Sequence, residues 1–332
     1  MRIAIVGSTG AVGLEMIKIL EAKSFPVTSL KCFSSPRSEG KFLKAFGKNH
    51  IVQVLKPDCF KDIDLCFFDA SDEVSKEWVP HAIESGAWVV DNSSVFRLSQ
   101  AVPLIVPEVN GELLDDPELR QTKLISGPNC TTVQLVVPLK IIDQEFGLKK
   151  VVVSTYQSVS GAGTLAVSEL KNQTEDWVKD RPSRNDALPY VIANNCVPKI
   201  GSIGKNGFTS EEMKIMEETK KILGLPNLQI TATAARIPIE RGHSESVSVE
   251  CINEVNIDQW KKALRKIGGI RVIDDDSQVQ ASFSAHGDKV DIGRVRLDPY
   301  SKYGLLFWVI SDNLRKGAAL NAFQITERLL KK

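Results

Sequence analysis

Over the first ninety residues, short apolar runs alternate with amphipathic stretches. Ile3-Ala4-Ile5-Val6 reads as a buried strand, and Leu14, Ile17, Ile19 and Leu20 as the apolar stripe of the helix after it. Ser29–Phe33, Asp64–Asp69 and Ala87–Asp91 are further strands, the last two separated by a helix through Trp78 and Ile83. Such alternation predicts a doubly wound parallel sheet. Residues 39–60 read as an excursion, with turns at Gly40-Lys41 and Gly47 and a strand at Ile51–Val54. Leu104–Asn110 is expected to continue the sheet. Leu124-Ile125 is a last short strand before the helical pattern of Val133, Leu135, Val136, Val137, Leu139, Ile141 and Ile142.

The pattern changes after Gly147, which stops that helix. Val151–Val159 is a long β-rich run; Ser160-Gly161-Ala162-Gly163 breaks it and opens a helix from Thr164 to about Trp177. Residues 181–200 read as irregular, with prolines at 182, 189 and 198. Thr209 or Ser210 caps a helix that ends at Gly224. Leu228–Ala234, Ser246–Ile252, Val290–Leu297 and Leu305–Ile310 predict a second, largely antiparallel sheet. A final helix from Asp312 onward, with Leu320, Phe323, Ile325 and Leu329 as its apolar face, is expected to return to the first domain. The fold class expected is therefore α/β: a doubly wound domain of residues 1–129 plus 313–332, and an α+β domain of residues 130–312 with a mostly antiparallel sheet.

Composition adds mainly exclusions. The 332 residues are 42% hydrophobic and 25% charged, with a net charge of +1. That is ordinary for a soluble chain of two domains and suggests no nucleic-acid partner and no membrane surface. No apolar run approaches the roughly 18 residues of a membrane span, and the N-terminus enters a strand with no signal-peptide layout. Cysteines at 32, 59, 66, 130, 196 and 251 form no C-x-x-C pair, and histidines stand only at 50, 81, 243 and 286. This argues against a structural zinc site or a disulfide framework, and no metal site is expected. A reducing cytoplasm is the expected compartment.

Three stretches carry candidate chemistry. Gly7-Ser8-Thr9-Gly10-Ala11-Val12-Gly13 lies between a strand and a helix, where glycines let the backbone approach a pyrophosphate at the helix N-terminus. Ser34-Ser35-Pro36-Arg37-Ser38 follows the second strand with no acid before Glu39; Arg37 and Ser38 suit a 2′-phosphate, which predicts NADP. Cys130 opens a helix, where backbone N–H groups and the helix dipole favour a thiolate and could hold an oxyanion. By default a cysteine is buried and inert, so its surroundings must decide. Arg97, in a loop beyond a strand end, is a candidate anion binder. Gln157 ends a strand just before a glycine loop. His243, between Gly242 and Ser244, is a candidate base. Glu211 and Lys214 share a helix face and by themselves read as a surface ion pair. Asp274-Asp275-Asp276 reads as an exposed turn.

Taken in order, these stretches resemble one family. The Gly7–Gly13 turn, Arg37-Ser38, Asn92–Arg97, Pro128–Thr132, Gln157–Gly163, Glu211–Lys214, Arg236 with His243 seven residues on, and Asn313–Ala319 are similar to the motifs of aspartate-semialdehyde dehydrogenases, in particular the bacterial branch. The resemblance covers nearly the whole chain. It implies an NADP-binding Rossmann domain and a catalytic and dimerisation domain. The implied reaction is NADPH-dependent reduction of L-aspartyl-4-phosphate to L-aspartate-4-semialdehyde with release of inorganic phosphate. That step leads to lysine, threonine, methionine and isoleucine. The resemblance makes Cys130 the nucleophile that forms an acyl-thioester, His243 the acid/base and Gln157 an orienting residue. Arg236 would clamp the substrate α-carboxylate and Glu211 meet its amino group, with Arg97, Asn129 and Lys214 at the phosphate. Gly7, Thr9, Gly10, Ala11, Val12, Arg37, Ser38, Ser160, Gly161 and Asn313 would contact the cofactor. A homodimer or tetramer is implied, with the second sheet at the interface.

One departure is visible. Where the family often has a glycine-rich turn against the cofactor, this chain has Asp69-Ala70-Ser71-Asp72-Glu73, and no contact is carried over there. The nearest rival is another acyl-phosphate reductase acting on N-acetylglutamyl phosphate. Glu211, Lys214 and the Arg236-to-His243 spacing favour a free amino acid. A catalytically dead relative would be expected to lack the nucleophile or the base, and both are present.

Overall fold

The computed structural model describes residues 1–330, apart from the side chains of residues 119 and 120. They form two units: Met1–Asn129 with the stretch from Ala318, and Cys130–Gly317. In the first, strands β1 (Arg2–Val6), β2 (Ser29–Phe33), β3 (Phe42–Ala45), β4 (Lys48–Gln53), β5 (Leu65–Phe68), β6 (Trp88–Asp91) and β7 (Leu124–Ser126) form one sheet in the order β3-β4-β2-β1-β5-β6-β7. All pairs are parallel except the β3–β4 hairpin. Side chains of successive residues alternate between two cores, as the period of two requires. Ile3, Ile5, Leu65 and Phe67 pack with Met16, Leu20, Leu320 and Phe323; Ala4, Val6, Cys66 and Phe68 pack with Phe60, Val79 and Ala82. The helix Leu320–Leu330 thus closes one face of this sheet.

Two expectations for this unit are corrected. Leu104–Asn110 does not continue the sheet: Leu104 makes a single bridge to Ser126, and Pro107–Asn110 is a short helix. Pro107 lacks the N–H a ladder needs and suits a first helical position. The Asn110 carboxamide folds back, accepting from Val106 N–H and donating to the Leu104 carbonyl, both at 2.9 Å. The return to the first unit comes at Ala318, not at 313. Asp312 Oδ1 accepts from the N–H groups of Leu314 and Arg315, and Gly317 N–H donates to Asp312 carbonyl, which keeps this turn with the second unit.

The second unit is built on a six-stranded sheet. Its strands are β8 (Leu148–Gln157), β9 (Gln229–Arg236), β10 (His243–Cys251), β11 (Ile270–Val272), β12 (Val290–Asp298) and β13 (Ser301–Ser311), in the order β11-β12-β13-β10-β8-β9. The β12–β13, β13–β10 and β10–β8 pairs are antiparallel, and the two edge pairs are parallel. Along β10 every second residue from His243 to Cys251 is buried. That face packs under the helix Cys130–Phe146 and, through Phe307 of β13, against Trp260 at 5.0 Å. The helix Ser210–Leu223 starts with a capping box of Thr209 and Glu212 and ends on Gly224 in the left-handed conformation. Residues 179–209 hold no helix or strand. They are tied down by Glu169, whose carboxylate accepts from the N–H groups of residues 186–188, and by Gln173. Among the described residues, no helix is long and apolar enough to cross a membrane.

Candidate active site

In the second unit, four strand ends meet at one edge of the sheet. β8 ends at Gln157 and β9 at Arg236, which face each other in register. β10 begins with His243, opposite Ser311 at the end of β13. Antiparallel pairing explains the convergence: the start of β10 must lie beside the ends of both its neighbours. The Cys130 helix is tied to this edge through Ser311, whose Oγ donates to Gln134 Oε1 at 2.6 Å. Gln134 lies four residues, about one turn, beyond Cys130. The chain after β13 then brings Gly317 onto the cysteine. A Cβ at Gly317 would lie 3.0 Å from Cys130 Cβ and 3.2 Å from its carbonyl oxygen. All six cysteines are outside disulfides.

His243 is fully buried. Ser158 N–H donates to its Nδ1 at 3.1 Å, and Ser158 Oγ lies 3.1 Å from the same nitrogen. Burial, with the Arg236 guanidinium, pushes the imidazole well below its ordinary pKa, against a backbone interaction with Gly242. Asn313 organises the shell: its Oδ1 accepts from Gly242 N–H at 2.9 Å, Ser158 Oγ at 3.1 Å and Ser160 Oγ at 3.2 Å. Gly161 closes against the pair. A Cβ there would be 3.1 Å from Arg236 Nη1 and 3.3 Å from His243 Nε2.

Gln157 is held at both ends of its amide, accepting from Thr155 Oγ1 and donating to Glu211 Oε1, each at 3.0 Å. Glu211 is therefore no surface acid; it is 8% exposed. Its Oε2 lies 3.9 Å from the half-exposed Lys214 Nζ. Arg236, 5% exposed, donates from Nη1 to Ser158 carbonyl at 2.7 Å. The second unit thus brings together Gln157, Glu211, Lys214, Arg236, His243, Ser160, Gly161 and Asn313. Around His243 and Asn313 the contacts come from backbone amides and neutral side chains, which fix geometry without adding charge.

In the first unit, Gly7 follows β1 with a φ of +90°, and a Cβ there would lie 2.1 Å from Asp69 carbonyl oxygen. Only glycine fits. Helix Ala11–Ala22 opens beyond this bend, with Gly10 at its cap. Thr9 Oγ1 bonds Ser34 Oγ at 2.6 Å and Ser38 Oγ at 3.4 Å, a hydroxyl cluster beyond the ends of β1 and β2. Arg37 is exposed on the turn Pro36–Ser38. This bend, the following helix N-terminus and the hydroxyl cluster fit a dinucleotide. Arg97, 7% exposed, donates from Nη2 to Asn92 carbonyl at 2.6 Å, and Asn129 is buried. Among the described residues, no group of three or more His, Cys, Asp or Glu could hold a metal ion.

The comparisons agree with this division. Residues 2–116 match the family model described as semialdehyde dehydrogenase, NAD binding domain, and residues 139–316 the model described as semialdehyde dehydrogenase, dimerisation domain. An aspartate-semialdehyde dehydrogenase of Aquifex aeolicus is 45% identical, over 99% of this chain and 98% of that one. The chain belongs to the aspartate-semialdehyde dehydrogenase family. It is similar to aspartate-semialdehyde dehydrogenase II of Vibrio cholerae, solved in complex with ASA, with a TM-score of 0.96 and 39% identity over 100% of this chain and 98% of that one. An aspartate-semialdehyde dehydrogenase of Candida albicans solved with NADP gives a TM-score of 0.77 and 25% identity over 99% of this chain and 98% of that one. As a member of this family the chain is an oxidoreductase of amino-acid biosynthesis with a nicotinamide-cofactor domain.

Reading by residue type passed over Ser158, Asn92, Gly317 and Gln134. Ser158 and Asn92 lie inside motifs already singled out, but nothing in their types separates them from ordinary loop residues. Their partners are 85 and 23 positions away in the chain. Asp69, left aside as atypical, is pushed up to about 7 by burial, against a hydrogen bond from Asn92.

Proposed function

We propose that this aspartate-semialdehyde dehydrogenase family member converts L-aspartyl-4-phosphate to L-aspartate-4-semialdehyde with NADPH, through an acyl-thioester on Cys130. Products of this step would feed lysine, threonine, methionine and isoleucine synthesis. The observation that carries the reading is the convergence of Gln157, Arg236 and His243 on the sheet edge that Ser311 ties to the Cys130 helix.

Each role follows from the chemistry of the side chain. Arg236 offers a planar fork suited to a carboxylate. Glu211, fixed by Gln157, offers a carboxylate for an ammonium group. Arg97, Asn129 and Lys214 are assigned to the phosphate. Gly7, Thr9, Gly10, Ala11, Val12, Arg37 and Ser38 would hold the dinucleotide. Ser160, Gly161 and Asn313 were expected to share in that, and their bonds to the His243 shell support a supporting role as well. The absence of an acid after β2, the exposed Arg37 and the Candida albicans relative solved with NADP support NADP over NAD. When bound, the dinucleotide supplies hydride. Cys130 attacks the acyl carbon as thiolate and phosphate leaves.

The dimerisation-domain match supports a homodimer or tetramer. The outer face of the second sheet supports its place at the interface: Tyr156 stacks on Trp308 at 5.2 Å, and Val152 is 44% exposed. The six thiols fit a reducing cytoplasm.

The test is direct. The protein is incubated with aspartate semialdehyde, phosphate and NADP, and NADPH absorbance is followed. A signal lost in Cys130→Ala is expected. No signal, or one with N-acetylglutamate semialdehyde alone, overturns the reading.

A further inference from the structure

Three consecutive residues leave β13, and each holds a different part of the site edge. Ser311 reaches the Cys130 helix through Gln134. Asn313 reaches the residues around His243, accepting from Gly242 N–H, Ser158 Oγ and Ser160 Oγ. Asp312 stands between them and is fully buried. Its carboxylate takes four donors. Oδ1 accepts from the N–H groups of Leu314 and Arg315, both at 2.9 Å; Oδ2 accepts from Arg241 Nε and His286 N–H, both at 2.5 Å. Its carbonyl accepts from Gly317 N–H at 3.0 Å. Only an ionised carboxylate offers two acceptor oxygens to such a set. An asparagine would turn an NH2 group toward two of the donors. Three donors are backbone amides, whose direction the chain fixes. The fourth is a guanidinium with a side chain only 14% exposed, and its bond to the carboxylate is charge-assisted.

These bonds act at two places. Those of Oδ1 and the carbonyl close the turn 312–317, which lays Gly317 on Cys130 with no room for a side chain. The Oδ2 bond anchors Arg241, two residues before His243 and next to Gly242. The residue packed on the cysteine and the chain that leads into the histidine are thus tied to one carboxylate. Sheet register alone leaves this open, because Cys130 belongs to a helix packed on the sheet and His243 to a strand within it. Arg236 and Glu211 are held separately, by Ser158 carbonyl and by Gln157.

We propose that Asp312 is a positioning residue for the reaction: its carboxylate registers Cys130 against the Gly242–His243 turn by holding Gly317 on one side and Arg241 on the other. The proposal rests on the reading of Cys130 as nucleophile and His243 as acid/base. A misplacement of about 1 Å between reacting groups costs roughly a hundredfold in rate.

Steady-state kinetics of Asp312→Asn, Gly317→Ala and the double variant test this, with thermal melts to show that each is folded at the assay temperature. Asp312→Asn is expected to lower kcat roughly tenfold to a hundredfold. KM for aspartate semialdehyde is expected to stay unchanged, because Arg236 and Glu211 keep their own bonds. The double variant is expected to lose only about as much as the worse single variant, since both changes act through one contact. A wild-type kcat in Asp312→Asn, a loss confined to KM, or a double loss equal to the product of the single losses overturns the proposal. If Asp312→Asn does not fold, Arg241→Met carries the test from the partly exposed end of the pair. It is expected to lower kcat about tenfold at unchanged KM, and a wild-type kcat there overturns the proposal. Failure of the function reading is separate: it shows as no wild-type turnover of aspartate semialdehyde, or turnover surviving in Cys130→Ala.

Discussion

Asn92 donates its side-chain N–H to Asp69 Oδ1 at 2.6 Å, joining the residues that follow β6 and β5. Asn92 carbonyl also accepts from Arg97, and its Oδ1 sits where a Cβ at Gly127 would be, 2.1 Å away. On the other side, Asp69 carbonyl oxygen packs on Gly7. A single amide thus links the glycine bend after β1, the Arg97 loop and the turn that leads to Asn129. It does so through a carboxyl whose Oδ2 is buried without a hydrogen-bond partner among the described residues.

Asp69 should make the fold weaker as pH rises. Burial raises its folded pKa to about 7, above its ordinary value of 3.8. The folded state then holds a proton that the unfolded state has released, so stability is full below about pH 4 and is lost as pH rises through about 7. Asp69→Asn keeps the acceptor for Asn92 and removes the charge. It should be more stable than the wild type at pH 8 by about 2 kcal/mol, discounted for partial exposure, and by less at pH 5. Thermal melts at the two pH values measure the difference; a gap that does not narrow at low pH contradicts it.

Gly317→Ala should harm Cys130 more than the fold. Its methyl group would press on the cysteine Cβ and carbonyl oxygen at 3.0 and 3.2 Å. A displacement of a few tenths of an ångström at the reacting sulfur should lower kcat roughly tenfold to a hundredfold, with a small change in melting temperature. Alkylation of Cys130 by iodoacetamide should slow in parallel. Unchanged kinetics would show that the close approach is incidental.

Gly7→Ala meets a different obstacle. Its φ of +90° and the 2.1 Å approach to Asp69 carbonyl are both incompatible with a side chain. The loss should be about 1–3 kcal/mol or more in stability, together with loss of dinucleotide binding. Calorimetric titration with NADP and a thermal melt, run on the same sample, check both.

Arg37→Ala should weaken NADPH far more than NADH. A charge-assisted bond to a 2′-phosphate is worth about 1.5–3 kcal/mol, or roughly tenfold to a hundredfold in Kd. NADH lacks that phosphate and should be nearly unaffected. Fluorescence titration of both cofactors gives the ratio, and equal losses would remove Arg37 from the phosphate site.

Both sheets, most helices and the nucleotide bend were legible in the chain because they are local. Apolar periods of 2 and 3.6, a cap at Thr209 and stops at Gly147 and Gly224 need no distant partner. Leu104–Asn110 misled because its apolar residues read as a strand, while Pro107 and the Asn110 carboxamide settle a short helix. Residue type and order sufficed to bring Cys130, His243, Arg236 and Gln157 forward as candidates. What tertiary structure alone decided is which atoms of those residues are occupied. Ser158 meets Nδ1 of a histidine 85 positions away, Gln157 bonds Glu211 across 54, and Gly317 packs on Cys130. Each contact follows from strand register and burial. These are properties of the assembled sheet, and they fix the partners of His243 and lift Glu211 out of its surface reading.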